Sequence, residues 1–278
     1  MKPTSDVTGL YRAFPAYLWV EDEETRTYLD TVWNGESRIK IYVAGGHSHL
    51  PALVKAAHSD YSTHVFGFRD RDFGASNRAH WNDPALDVLT SDVLELENLL
   101  LDAEAIAACD VNTSGLGAAD IELEMRRLAT PLTWWMACRK TITALRDAVM
   151  TDFLSHPSRT RVRTRQEAED AIVTSAWWST VLPALHGTWG SSASITQRLV
   201  QDESDFSAML GTDAWKRDFS GKEIVQDLIA KVWTRKRPGD PAGRLEFVRA
   251  IAESQLRMGR VPAEIVELRT AIRRRIGL

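Results

Sequence analysis

Over the first hundred residues the apolar positions switch between two periods. Short apolar runs at Ala16–Val20 (AYLWV), Ile39–Val43 (IKIYV), His64–Phe68 (HVFGF) and Leu86–Leu89 (LDVL) read as buried strands. Between them the spacing turns helical: Thr25, Tyr28, Leu29 and Val32, then Leu50, Leu53, Val54 and Ala57 within His47–Ala57. Gly45-Gly46 closes the second strand, and Asp92 suits the cap of a helix over Asp92–Leu101. This alternation predicts a small parallel sheet flanked by helices. After residue 102 the strand signal nearly vanishes. Helical patterns run through 118–129, 132–154, 166–186, 194–210, 222–235, 244–257 and 262–276, punctuated by Pro157, Gly187, Gly190, Gly211 and the PGDPAG run at Pro238–Gly243. The expected architecture is α/β over 1–105, followed by a large all-helical part over 106–278.

Composition narrows the class. The 278 residues are 44% hydrophobic and 26% charged, the balance of a globular protein. No apolar run reaches the roughly 18 residues of a membrane span. The N-terminus lacks the apolar core of a signal peptide. Cys109 and Cys138 stand far apart, which excludes a disulfide scaffold or zinc ribbon and fits a reducing compartment, so a cytoplasmic protein is expected. The net charge of −4 hides an asymmetry: residues 1–110 carry 9 Lys/Arg against 18 Asp/Glu, the rest 25 against 20. The acidic half suits multivalent cations and the basic half phosphate-bearing partners.

The acids sit where parallel α/β sheets bind ligands, beyond the carboxyl ends of strands. The first strand ends in Glu21-Asp22-Glu23-Glu24, the third in Asp70-Arg71-Asp72-Phe73, and the helix after the fourth carries Glu95, Glu97 and Asn98. In an extended loop Asp70 and Asp72 face the same way. Mg²⁺ takes one or two carboxylates with water and substrate phosphate. Each part alone has a bland reading: acids in a helix first turn, a solvated Asp-x-Asp, a surface face beside a leucine stripe. Their conjunction is the stronger signal. Arg159, Arg161, Arg163 and Arg165 recur at every second residue of Ser158–Arg165, read as an exposed strand or a basic loop. On an extended segment they project to one side about 6.5–7 Å apart, near the spacing of phosphates. Further basic clusters lie at Lys231 with Arg235–Arg237 and at Arg269 with Arg273–Arg275, where helix-end dipole partners are an equal reading. His47 and His49 follow the glycine turn, and Trp134-Trp135 and Trp177-Trp178 suit core packing. There is no phosphate-binding P-loop, dinucleotide fingerprint or nucleophile elbow.

The segments VEDEETRTYL (Val20–Leu29), AGGHSHL (Ala44–Leu50), FRDRDFG (Phe68–Gly74) and LELENLLL (Leu94–Leu101) resemble, in order and spacing, the motifs of Toprim domains. The closer similarity is to OLD-type Toprim nucleases and the Toprim effectors of PARIS-type anti-phage systems. A later FSGKEIV (Phe219–Val225) resembles the Gly-Lys segment of such proteins, with 215–235 returning Lys222 to the active site. The resemblance covers roughly 15–105 and, more thinly, 215–235. It implies a metal-dependent nuclease using Mg²⁺ or Mn²⁺, with Glu21, Asp70 and Asp72 catalytic and metal-binding, Glu97 a further ligand, and Lys222 near the transition-state charge. It also implies a cytoplasmic homodimer, an ATPase partner chain and a nucleic-acid substrate, RNA such as tRNA ahead of DNA. Two positions depart from the pattern: Asp22 replaces a glycine and Thr25 an acid, leaving open one metal or two. The alternative is a degenerate Toprim protein acting as a binding or regulatory subunit.

Overall fold

The computed structural model describes residues 11–46, 49–60, 62–149, 156–174, 178, 191–233 and 241–278. His47, Trp177 and Arg235–Arg237 lie outside them, as does the later part of the helix expected over 166–186. Among the described residues no helix is long and apolar enough to cross a membrane.

Four parallel strands, β1 (Ala16–Val20), β2 (Ile39–Val43), β3 (Val65–Arg69) and β4 (Val88–Thr90), form one sheet in the order β2-β1-β3-β4. The sequence explains which are central. β1 and β3 are buried almost throughout, so their apolar runs do not alternate, whereas β2 at the edge exposes Lys40 between Ile39 and Ile41. Helices α1 (Glu23–Val32) and α2 (His49–Asp60) make the two crossovers. The first connection steps from β1 to β2 and the second crosses back past β1 to β3, so right-handed crossovers put these helices on opposite faces.

The stretch after β4 differs from the expected helix over 92–101. Residues 92–95 bend, and only Leu96–Leu100 form a short 3-10 helix, capped by Glu95 and not by Asp92. Asp92 is engaged instead by Ser76 Oγ at 2.5 Å and by Arg78 at 2.7 Å. Val93, Leu94, Leu96 and Leu99 to Leu101 are all buried. A regular helix presents one stripe, so burial all round favours a tight, irregular segment threaded through the core.

The chain divides into two compact units: residues up to 122 together with 221–278, and residues 123–220. The expected break at 105/106 is therefore corrected. Helix α3 (Ala103–Ala107), the start of α4 (Ala118–Ala129), and the C-terminal helices α9 (Gly221–Val232), α10 (Pro241–Arg257) and α11 (Ala263–Arg275) all belong with the sheet. Buried polar bonds tie them there. Tyr28 Oη donates to Gln255 Oε1 at 2.8 Å, Gln255 Nε2 donates to Leu99 O at 2.8 Å, and Trp33 Nε1 donates to Ile265 O at 3.2 Å. Glu36, nearly buried, takes Arg269 at 2.7 Å and Arg273 at 3.0 Å, while Arg275 donates to the carbonyls of Leu86 and Pro84. The C-terminal arginine cluster is thus a staple between α11 and the sheet unit. Tyr28→Phe leaves Gln255 Oε1 without its buried donor, and is expected to cost about 1–3 kcal/mol in thermal or denaturant melting. An unchanged transition would show that the oxygen finds another partner.

The second unit is helical: the end of α4, then α5 (Thr133–Val149), α6 (Arg165–Val173), α7 (Ser192–Met209) and the single turn α8 (Trp215–Asp218). Its core holds a buried ion network. Asp202, 1% exposed, receives Lys140 and Arg198 at 2.8 Å each and Thr141 Oγ1 at 3.2 Å. The arginine segment 159–165 is not an extended strand. Arg159–Arg161 form a 3-10 turn, Val162 is fully buried, and Arg165 opens α6 with Thr164 as its cap. Burying Val162 and capping a helix through the Thr164–Glu167 capping box both break the alternation, so the four arginines share no single line.

Candidate active site

Two strand ends build the site. Val20 pairs with Phe68 in parallel register, so Glu21 and Asp70 leave the sheet at the same edge on neighbouring strands. The chain departs from β1 to β2 on one side and returns to β3 on the other, which makes the β1/β3 crevice the topological switch point. There the Asp70 N–H donates to Glu21 Oε1 at 3.2 Å, and Asp70 Oδ1 accepts from Leu96 N–H at 2.9 Å. Asp22 departs from the sheet edge because it caps α1, accepting from Thr25 N–H at 2.8 Å. Thr25 itself is buried, lining a small apolar cavity with Tyr28, Phe68 and Leu96.

The Asp70–Asp72 loop is turned, not extended. Among the described residues Asp72 is the non-glycine with positive φ, 49°, and its N–H donates to Leu94 O at 2.9 Å. Aspartate tolerates the left-handed region better than most residues, but the conformation is held by its surroundings at a cost of roughly 1–3 kcal/mol. The simple alternation expected for Asp70 and Asp72 is therefore corrected. Asp72 still lies close enough to Asp70 to repel its charge.

The segment after β4 delivers the remaining acids and locks a distant helix to them. Glu95 and Asn98 form a capping box: Glu95 N–H donates to Asn98 Oδ1 at 3.0 Å. The same Asn98 oxygen accepts from Gly221 N–H at 3.3 Å, and Glu95 Oε2 accepts from Lys222 N–H at 3.0 Å. The N-terminus of α9 thus points its free N–H groups at Glu95, a favourable end for a carboxylate. Lys222 arrives beside the carboxylates through its backbone; its side chain is exposed, with no ion pair among the described residues. Glu97, 6% exposed, is held by Arg244 Nη2 at 2.5 Å, and Arg244 Nε stands 3.1 Å from Glu24 Oε1. Arg244 and the anchoring role of Glu95 are not legible in the sequence. The Arg244 pair spans 147 positions of chain, and no local pattern marks it.

The electrostatics follow from crowding. Burial pushes the Asp70 carboxyl well above its usual range, and repulsion from Glu21, Glu97, Glu95 and Asp72 adds to it. Burial likewise raises Glu97, to about 7, with Glu95 and Asp22 adding repulsion and Arg244 opposing it. An oxygen-only set with surplus negative charge is the donor chemistry of a hard divalent cation. Among the described residues no group of three or more His, Cys, Asp or Glu is arranged to hold a metal ion. The Asp70 and Glu97 carboxylates are turned onto protein donors. A divalent ion at this edge would have at most one or two carboxylates, Glu21 and Asp70, and would need water and phosphate to complete its shell.

The other expected residues belong to different elements. His49 is the exposed first residue of α2. Arg161, Arg163 and Arg165 are exposed on the helical unit, with Arg165 paired to Glu169 at 2.6 Å, and Arg159 is half-buried. Trp135 and Trp178 are buried as expected of core rings, whereas Trp134 is only half-buried. No family model matches the chain, and no curated protein matches it.

Proposed function

We propose that this chain is a metal-dependent phosphodiesterase of Toprim type that cuts nucleic acid. The observation that carries the reading is the contact of Glu21 with Asp70 at the switch point of the sheet, surrounded by Asp72, Glu95 and Glu97. Glu21 and Asp70 would hold Mg²⁺ or Mn²⁺, which supplies Lewis-acid neutralisation of the phosphate and an activated water. Asp72 keeps the adjacent loop turned. Glu95 fixes the α9 N-terminus, so that Lys222 can place an ammonium by the developing charge of the leaving group. The exposed Arg161 and Arg163 are available to the nucleic-acid backbone, each contact adding to the salt dependence of binding. From the resemblance, the substrate is RNA such as tRNA ahead of DNA. The setting is a cytoplasmic effector of anti-phage defence, a homodimer restrained by an ATPase partner.

A second reading keeps the fold and loses the chemistry. It is favoured by the burial of Thr25 and the commitment of Glu97 to Arg244, which together leave few free ligand oxygens. The two separate on one assay. Incubated with tRNA, single-stranded RNA or DNA, the protein is expected to cleave with Mg²⁺ or Mn²⁺ and to stop on EDTA. Inertness towards all of them under either metal, with metal binding also absent, would leave the binding-subunit reading.

A further inference from the structure

Arg244 sits in the first turns of α10, and its guanidinium is shared between two carboxylates from different elements. Nη2 donates to Glu97 Oε1 at 2.5 Å. Nε stands 3.1 Å from Glu24 Oε1 but off the line of a hydrogen bond, so this buried N–H has no hydrogen-bond partner among the described residues. The strong mode of a guanidinium is a two-pronged grip on one carboxylate or one phosphate. In this chain the fork is split between two carboxylates, and its Nε prong makes an ion pair without a hydrogen bond among the described residues. The side chain is 20% exposed, so the group is not sealed into the core.

A positive charge in this place has a consequence for any cation that binds beside it. Glu97 contributes to the negative field at Asp70, and Asp70 touches Glu21 through its backbone. A divalent ion at Glu21 and Asp70 therefore repels Arg244 and draws on the same carboxylate charge that Arg244 now neutralises. The antagonism is reciprocal by linkage: whatever loosens Arg244 strengthens the ion, and the reverse.

We propose that Arg244 is the resident counter-ion of the carboxylate site, loosened from Glu97 by the divalent cation and then taken up, fork-on, by two non-bridging oxygens of the substrate phosphodiester. This rests on the phosphodiesterase reading and adds to it an order: the metal binds, the arginine is released, and the phosphate is gripped. The split grip on Glu24 and Glu97 is the poised state. A phosphate diester offers paired acceptors to one guanidinium edge, an arrangement that neither Glu24 nor Glu97 presents to Arg244.

The test is Mn²⁺ titration followed by electron paramagnetic resonance, beside RNA cleavage and melting in metal-free buffer, on the full chain. Arg244→Gln is expected to bind Mn²⁺ about tenfold more tightly than wild type, the size of an ordinary coupling between sites. At saturating Mn²⁺ its cleavage is expected to fall by about 10²-fold, as on loss of one charge-stabilising donor. A merely structural arginine would weaken both. Arg244→Lys, which keeps the charge and the pairing with Glu97, covers the case in which the glutamine variant does not fold. It should hold Mn²⁺ within about threefold of wild type yet cleave at least about tenfold more slowly, because an ammonium cannot fork. A folded Arg244→Gln that binds Mn²⁺ no tighter than wild type, or a lysine variant with wild-type cleavage, overturns the proposal. The phosphodiesterase reading survives either result if wild type binds Mn²⁺ and Glu21→Gln does not. Wild type that binds no Mn²⁺ ends both.

Discussion

Asp70→Asn is expected to abolish metal-dependent cleavage while leaving the protein as stable as before, or more so. The substitution is nearly isosteric. Asn Oδ1 can still accept from Leu96 N–H, the bond that Asp70 makes at 2.9 Å, and the backbone N–H that reaches Glu21 is untouched. What disappears is a negative charge crowded by Glu21, Glu97, Glu95 and Asp72 in a place where burial already disfavours it. Relief of that repulsion is expected to raise stability in metal-free buffer by about 0.5–2 kcal/mol, the usual gain when a site kept for function is relaxed. On the proposed reading the same charge would be a main holding point for the divalent ion. Its loss should remove the several kcal/mol that a metal ion contributes to phosphoryl chemistry, about a thousandfold or more in rate. Melting with and without Mn²⁺ reads both sides. Wild type should gain stability from Mn²⁺ and the variant should not. A variant that melts well below wild type would make Asp70 a structural residue, and one that cleaves normally would remove it from the chemistry.

The sheet was legible because its signals are local. AYLWV and HVFGF are short apolar runs with no alternation, which is how fully buried parallel strands read, and both form near the expected places. The strand-end acids followed from that, since register alone brings Glu21 and Asp70 to one edge. Three features were not legible, each for a physical reason. The Asp70–Asp72 loop turns at a left-handed residue that no sequence period marks. The Arg159–Arg165 alternation is overridden by the burial of Val162 and by the capping box at Thr164. The domain break was misplaced because α10 and α11 look like any amphipathic helices. Their membership of the sheet unit depends on long-range polar bonds such as Tyr28 to Gln255 and Trp33 to Ile265.

Gly221→Ala is expected to be among the most damaging single-methyl changes in the chain. A Cβ at this position would lie 2.4 Å from the Asn98 backbone nitrogen and 2.7 Å from Asn98 Oδ1. No side-chain rotation relieves a contact with backbone, and Asn98 is itself fixed between the buried Glu97 and Leu99. The helix start must move away. Doing so strains the Gly221 N–H bond to Asn98 and the Lys222 N–H bond to Glu95. Overpacking of this kind costs about 1–3 kcal/mol, and a weakened hydrogen bond to a charged acceptor adds about 1.5–3. Alanine's better helix propensity returns at most about 1 kcal/mol, and less at a helix's first residue, so the loss dominates. The net expectation is a destabilisation of about 2–4 kcal/mol in denaturant melting, with cleavage falling because Glu95 and Lys222 no longer meet. Lys222→Ala is the necessary comparison. It keeps the backbone bond to Glu95 and removes only the exposed ammonium, so it should melt with wild type and lose cleavage alone. If Gly221→Ala also melts with wild type, α9 does not approach Asn98 this closely, and the placement of Lys222 at the carboxylates fails with it.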